Sequence, residues 1–286
     1  MISYLLLGLS LTLETAKNAL SNQFSITKLK NRTDNFKFGF YMYLAASIVS
    51  LAFPSGGVSW YTVALAAGFA VLLGANQYFF MKALSCGPMS FTNFIQCAGL
   101  LIPALCGVLF WQERASVFQL LWLGVLVLSM FWALKADKLS KNPAWWFSAL
   151  AAMISMGGIG ILQSVHQMSE YKGELIGFLK VAFLFTALFY LLLWGISSRR
   201  EPSGFKMGRT GVLQAASSGG FMSCVHVINL YLAGVLPKII FFPAANGGLI
   251  ILTLLCAVVI FREKLTVKQW AGLILGTVAL CGIGLC

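Results

Sequence analysis

The stretch Met1-Ile-Ser-Tyr-Leu-Leu-Leu-Gly-Leu-Ser-Leu-Thr-Leu-Glu14-Thr-Ala-Lys17-Asn18-Ala-Leu-Ser21-Asn22 runs an apolar segment of membrane length straight through a carboxylate, an ammonium and two amides. An ionisable group in such a segment costs roughly 2.5–3.5 kcal/mol on insertion scales, so it is a functional expectation by default. Positions 14, 17, 18, 21 and 22 are spaced 0, 3, 4, 7 and 8, which places them on one face of a helix. That face must turn away from lipid, towards a polar chamber or other helices.

Composition extends this reading to the whole chain. Of 286 residues, 59% are hydrophobic and 10% charged, with a mean hydropathy of +0.86. Soluble chains average about 25% charged residues, and a spanning helix needs about 20 mostly apolar ones. Apolar windows fall at 3–24, 38–54, 59–82, 89–111, 117–134, 144–168, 175–195, 210–232, 239–261 and 267–285. The expected fold class is therefore all-α integral membrane, with about ten transmembrane helices. Pro54-Ser-Gly-Gly57, Cys86-Gly-Pro88, Lys141-Asn-Pro143 and Glu201-Pro-Ser-Gly204 separate segments as turn signals. The first segment lacks a basic n-region and a clear cleavage pattern, and is read as mature protein.

The net charge of +12 is dispersed over connections and does not form a nucleic-acid face. Loops after odd-numbered segments hold Lys28, Lys30, Arg32, Lys37, Lys82, Lys135, Lys138, Lys141, Arg199, Arg200, Lys206, Arg209, Arg262, Lys264 and Lys268, against Arg114, Lys172 and Lys238 in the others. The positive-inside rule then sets the odd loops in the cytoplasm and both termini outside. Seven cysteines lie mostly in apolar runs and read as small core residues. Trp60, Trp111, Trp132, Trp145, Trp146, Trp194 and Trp270 fall at segment edges, as an interfacial belt would.

A shift of about 150 residues lays Leu105, Cys106, Val108, Glu113, Val117, Gln119 and Leu123 on Leu255, Cys256, Val258, Glu263, Val267, Gln269 and Leu273. Two five-helix units follow, at 1–140 and 141–286. An odd number of spans per unit inverts the second copy, an arrangement of secondary transporters whose site lies at the midplane between repeats. The same shift pairs Asn76 with His226 and Gln96 with Asn246.

Trp111-Gln-Glu113-Arg-Ala-Ser-Val-Phe-Gln119 and Phe261-Arg-Glu263-Lys-Leu-Thr-Val-Lys-Gln269-Trp-Ala-Gly272 resemble the twice-repeated Glu, Leu-Thr, Gln-x-x-Gly signature of the EamA-type drug/metabolite transporter superfamily. The first copy departs from it, with Ala115-Ser116 for Leu-Thr and Trp122 at the glycine position. The resemblance implies a ten-helix small-molecule transporter of two inverted repeats, often with cytoplasmic termini. Leu13-Glu14 also resembles the first helix of the small multidrug resistance proteins, where the corresponding glutamate exchanges protons for cationic substrates. A carboxylate that holds a proton or a cation in turn makes an antiporter; Lys17, one turn away, could pair with it instead.

The remaining membrane polar residues are weaker candidates: Asn76 and Gln77, Asn93 and Gln96, Gln163, His166 and Gln167, and Asn246, with Gln214, Ser218, His226 and Asn229 forming a second stripe. Each weighs a ligand role against a hydrogen bond to a neighbouring helix. Lys180 is expected to snorkel, Glu113 and Glu263 to serve as cap or interface charges, and Asn31-Arg-Thr33 not to be glycosylated. Phosphate loops, zinc-protease motifs, nucleophile elbows and CxxC pairs are missing from the sequence, which argues against an enzyme and for gradient-driven transport.

The expected substrate is a small amphipathic or cationic metabolite or drug, with H+ as the coupling ion. An organic-anion, amino-acid or nucleotide-type carrier is the alternative, and a lipid-handling protein or membrane enzyme is the alternative from another class. The candidate residues for substrate binding or ion coupling are Glu14, Lys17, Asn18, Asn76, Gln77, Asn93, Gln96, Gln163, His166, Gln214, His226, Asn229 and Asn246. No cofactor, metal or nucleic acid is expected. Membrane lipid is the expected surrounding partner, the chain is a monomer or weak homodimer, and the expected location is a bacterial cell (inner) membrane crossed several times.

Overall fold

A computed structural model of the chain describes residues 2–99, 101–111, 116–134, 142–200, 207–236 and 238–285. Glu113, Lys135, Lys138, Lys141, Lys206 and the Glu201–Gly204 turn signal lie outside the described residues. Among those described, the regular structure is helical, with no strand. The helices are α1 (Ile2–Lys28), α2 (Arg32–Leu51), α3 (Trp60–Cys86), α4 (Met89–Ala98), α5 (Leu101–Phe110), α6 (Val117–Leu134), α7 (Pro143–Met168), α8 (Leu175–Arg200), α9 (Arg209–Val235), α10 (Lys238–Val259) and α11 (Val267–Leu285). Five helical stretches are long and apolar enough to cross a membrane: Trp60–Cys86, Met89–Phe110, Pro143–Met168, Lys172–Arg200 and Arg209–Val235. Large apolar side chains such as Leu5, Ile48, Val71, Phe118, Leu192 and Ile274 remain on the surface. Such a surface belongs in lipid, and the chain has the character of a multi-pass membrane protein.

Capping sets several helix starts where hydropathy alone does not. Asn31 takes the position before α2, its side-chain oxygen accepting the Asp34 N–H at 3.0 Å, so the helix begins well before the apolar window. Ser59 accepts the Thr62 N–H at 3.2 Å before α3. Asn142 accepts from Ala144 and Trp145 before α7, with Pro143 at the first helical position, where its missing N–H costs nothing. Such caps are each worth about 1 kcal/mol.

The apolar window 89–111 is broken into α4 and α5. Pro103 has no N–H to donate to Gly99 O, four residues back, and its ring clashes with a helical carbonyl there. The Gly99 backbone instead packs on α7: a side chain at Gly99 would strike Met153 O, and the Gly99 carbonyl would lie 2.8 Å from a Cβ placed on Gly157. Two glycines thus let a helix break rest directly on a neighbouring backbone.

The bundle pairs α3 with α7 and α1 with α9, sets α2 against α8 and α9, packs α6 along α11, and brings α4 against both α7 and α10. One core surrounds Phe38, Met42, Tyr43, Phe69, Phe178 and Tyr190; a second surrounds Phe94, Trp145 and Leu273. Trp145 departs from the interfacial expectation. It is fully buried, and its Nε1 donates to Thr92 Oγ1 at 3.1 Å, so the apolar ring and its one polar atom are both satisfied inside.

The connections sort onto two ends. Lys28 at the end of α1 reaches Gln214 near the start of α9. Thr33 near the start of α2 meets Ser197 near the end of α8, and Asn142 before α7 reaches Cys86 at the end of α3. Glu263, beyond α10, meets the start of α4. One end thereby gathers Lys28, Lys30, Arg32, Lys82, Arg199, Arg200, Arg209, Arg262 and Lys264. At the other end Glu174, in a 3-10 turn between α7 and α8, accepts from Ser59 N at 2.8 Å and Ser59 Oγ at 2.9 Å, and Lys180 reaches Ser55 at 2.9 Å.

Candidate functional site

The polar face of α1 points into the bundle, with Lys17, Asn18, Ser21 and Asn22 buried. Lys17 Nζ donates to Glu14 Oε1 at 2.5 Å, and the two side chains retain 10% and 16% exposure. They border a central chamber of about 70 Å³ lined by α1, α2, α3, α4, α7, α9 and α10. At roughly 10–15 Å³ for each water-sized sphere, that is room for several waters or a small polar solute. A drug-sized ligand needs roughly 300–1,000 Å³.

Nine of the thirteen candidate residues line this chamber: Glu14, Lys17, Asn76, Gln77, Gln96, Gln163, His226, Asn229 and Asn246. They are not interchangeable. Asn76 donates to Ala152 O at 2.8 Å and accepts from Gln96 Nε2 at 2.9 Å, which ties α3 to α7 and α4. Gln163 Nε2 lies 3.5 Å from His226 Nδ1, and the tautomer sets which of them donates. Phe69 and Phe183 meet the His226 ring edge-on, at centroid distances of 6.0 Å and 5.7 Å. The Gln77 amide nitrogen is buried with no partner among the described residues, although an amide donor in a dry site costs about 1–3 kcal/mol. It is the group most open to a ligand acceptor.

The other four candidates lie outside the chamber. Asn18 donates to Asn93 Oδ1 at 2.7 Å and Asn93 donates to Met89 O at 2.9 Å, so this pair joins α1 to α4. His166 is buried, its ring tilted against Phe178 with centroids 4.5 Å apart, and its Nδ1 lies 3.3 Å from Gln167 Nε2. Gln214 holds Lys28 at 2.9 Å and Gln23 at 3.0 Å at the basic end.

Two chamber residues escaped the sequence reading. Ser10 donates to Asn229 Oδ1 at 2.6 Å; its signal was present, since it lies one turn before Glu14 on the same face. Tyr43 left no signal, because a tyrosine in an apolar run reads as core. Its hydroxyl donates to Leu73 O at 2.9 Å while its ring stacks on Tyr190 at 5.6 Å.

Solved structures resemble this chain over its whole length. A crystal structure of a protein superposes with a TM-score of 0.67, covering 99% of this chain and 96% of that one at 14% identity. At that identity the likeness concerns the fold: the helix order and packing belong to an architecture already seen experimentally. No protein-family model and no curated protein matches the sequence.

The chamber therefore offers one carboxylate and one ammonium already joined, ringed by neutral amides and closed by apolar side chains such as Leu73, Met156, Met222 and Phe241. It sets formal charges of both signs 2.5 Å apart, with donors and acceptors from six other helices around them.

Proposed function

We propose that the chain is a secondary transporter of the drug/metabolite superfamily type, carrying a small polar metabolite through the central chamber by alternating access. The observation that carries this reading is the convergence of Glu14, Lys17, Asn76, Gln96, Gln163, His226, Asn229 and Asn246 on one enclosed space, from helices on both sides of position 140. The packing pattern supports an inverted repeat of ten spans. Exchanging α1, α2, α3, α4/α5 and α6 with α7, α8, α9, α10 and α11 maps the α3–α7 contact onto α9–α1 and the α2–α9 contact onto α8–α3. Asn76 and His226, and Gln96 and Asn246, the pairs that the 150-residue shift aligns, stand on helices that this exchange interconverts and all line the chamber.

The ion pair refines the substrate class. A plain cation that captured the Glu14 carboxylate would leave the Lys17 ammonium beside it without a counter-charge, and like charges at about 4 Å repel by about 4 kcal/mol at an effective dielectric constant of 20. A zwitterion opens the pair and meets both ends, its ammonium on Glu14 and its carboxylate on Lys17. A proton can replace the substrate on Glu14 only while Lys17 finds another acceptor, which ties proton exchange to substrate release. The size of the chamber likewise favours a small metabolite over a drug.

Counterflow in proteoliposomes tests this, with neutral amino acids, tetramethylammonium and succinate as competing probes under an imposed pH gradient. Neutral amino acids should compete best, and both Glu14→Gln and Lys17→Met should abolish their exchange. Competition by tetramethylammonium alone, with Lys17→Met still active, would return the reading to a cation/proton antiporter. Transport indifferent to both substitutions would place the site elsewhere.

A further inference from the structure

A second pair of cavities lies at the basic end, away from the chamber. One is a groove of about 430 Å³ between α2, α3 and α8, walled by Phe36, Val71, Tyr78, Phe189 and Leu193, with Arg32 and Arg200 among its lining residues. The other is a polar bowl of about 490 Å³ that includes Lys30, Arg32, Asn35 and Lys82. Arg32 and Tyr78 belong to both, so the two adjoin. The groove opens sideways onto the lipid-facing surface, where Val71 is 57% exposed and Ile196 58%.

Charge and shape together state what fits. Four cations, Lys30, Arg32, Lys82 and Arg200, surround the junction, and over positions 28–37 the one acidic residue is Asp34, whose carboxylate accepts the Lys30 N–H at 3.3 Å. Arg199 and Arg200 both complement the C-terminal dipole of α8; Arg200 alone of the two lines the groove. A guanidinium recognises phosphate through paired N–H donors, and basic pockets between membrane helices suit anionic headgroups. An apolar trough leading laterally from such a pocket suits acyl chains.

We infer that this is a binding site for an anionic phospholipid of the leaflet at the basic end, its phosphate at Arg32 and Arg200 and its chains along Phe36, Tyr78 and Phe189. The site is separate from the transport chamber. Tyr43 lines the chamber and Tyr190 lines the groove, and their rings stack between the two. The inference rests on the membrane location alone and stands or falls independently of the transported substrate.

Native mass spectrometry of the full chain in detergent, titrated with phosphatidylglycerol or phosphatidylcholine of matched chains, tests it. Phosphatidylglycerol should be retained preferentially. Arg200→Gln, at an exposed helix end, should weaken that retention about five-fold, and Arg32→Gln with Arg200→Gln about thirty-fold, without changing phosphatidylcholine binding. Val71→Trp fills the mouth of the groove and leaves every cation in place; it should also weaken phosphatidylglycerol binding several-fold, whereas Lys172→Gln at the opposite end should not. Equal retention of both lipids, arginine variants that keep the preference, or displacement of the lipid by millimolar inorganic phosphate would overturn the assignment. So would an unaltered affinity in Val71→Trp, which would reduce the site to diffuse surface charge.

Discussion

Substituting Glu263 tests the most specific contact between the loop beyond α10 and the broken helix. After α10, Arg262 takes a left-handed conformation with φ 54, and the Glu263 N–H returns to Ala257 O at 3.0 Å, closing the helix end in the manner usually left to glycine. The turn directs the carboxylate at α4, where it accepts from Met89 N at 2.6 Å, Ser90 Oγ at 2.6 Å and Ser90 N at 3.3 Å. Hydrogen bonds to charged groups are worth about 1.5–3 kcal/mol, against about 0.5–1.5 for neutral ones. In Glu263→Gln the carbonyl can keep Met89 N and the amide can donate to Ser90 Oγ but cannot accept the Ser90 N–H, so the loss is the charge on two short bonds together with that third contact, about 2 kcal/mol. Glu263→Ala loses the contacts outright, about 3–5 kcal/mol. At about 2–4 °C per kcal/mol for a chain of this size, thermal unfolding in detergent should fall by about 4–8 °C for Gln and further for Ala. Ser90→Ala should be non-additive with either, because the two side chains share a bond. A Glu263→Gln protein that melts within a degree of the parent, or strict additivity with Ser90→Ala, would refute the capping argument.

Three further substitutions probe the interior. Gly157→Val puts a Cβ 2.4 Å from Ile102 Cδ1 and 2.8 Å from Gly99 O, and should destabilise by at least about 1–3 kcal/mol, read as lowered Tm. Trp145→Phe keeps most of the ring and deletes the bond to Thr92; about 1 kcal/mol should be lost, seen as a Tm lower by about 2–4 °C. Glu14→Gln combined with Lys17→Met should destabilise by less than the two single changes summed, because each single change leaves one charge in the chamber unpaired. A double-mutant cycle on Tm measures that coupling.

The apolar windows located the helices because burial in lipid demands long runs of apolar side chains, and that demand is local. What hydropathy could not place was decided by polar caps and by neighbours. α2 begins at Arg32 because Asn31 caps it, and the run from Met89 to Phe110 splits because Pro103 lacks an N–H and Gly99 rests on the backbone of α7. The polar residues show the same division. Asn76 and Asn93 are the same side chain in consecutive helices, yet one borders the chamber and the other joins α1. Lys17 and Asn18, adjacent in sequence, divide in the same way. Periodicity reports which face of a helix is polar; the rotation of that face relative to the next helix depends on packing between residues far apart in the chain.

The two stacked tyrosines carry a mechanical consequence. Tyr43 on α2 donates to Leu73 O and Tyr190 on α8 donates to Gly74 O, so two helices grip successive carbonyls of α3 with buried phenols. Each bond is worth roughly 1 kcal/mol and more if its acceptor is stranded. A rearrangement that pulled α2 or α8 away from α3 would therefore have to break the hydrogen bond of a buried phenol, so these three helices resist separation from one another.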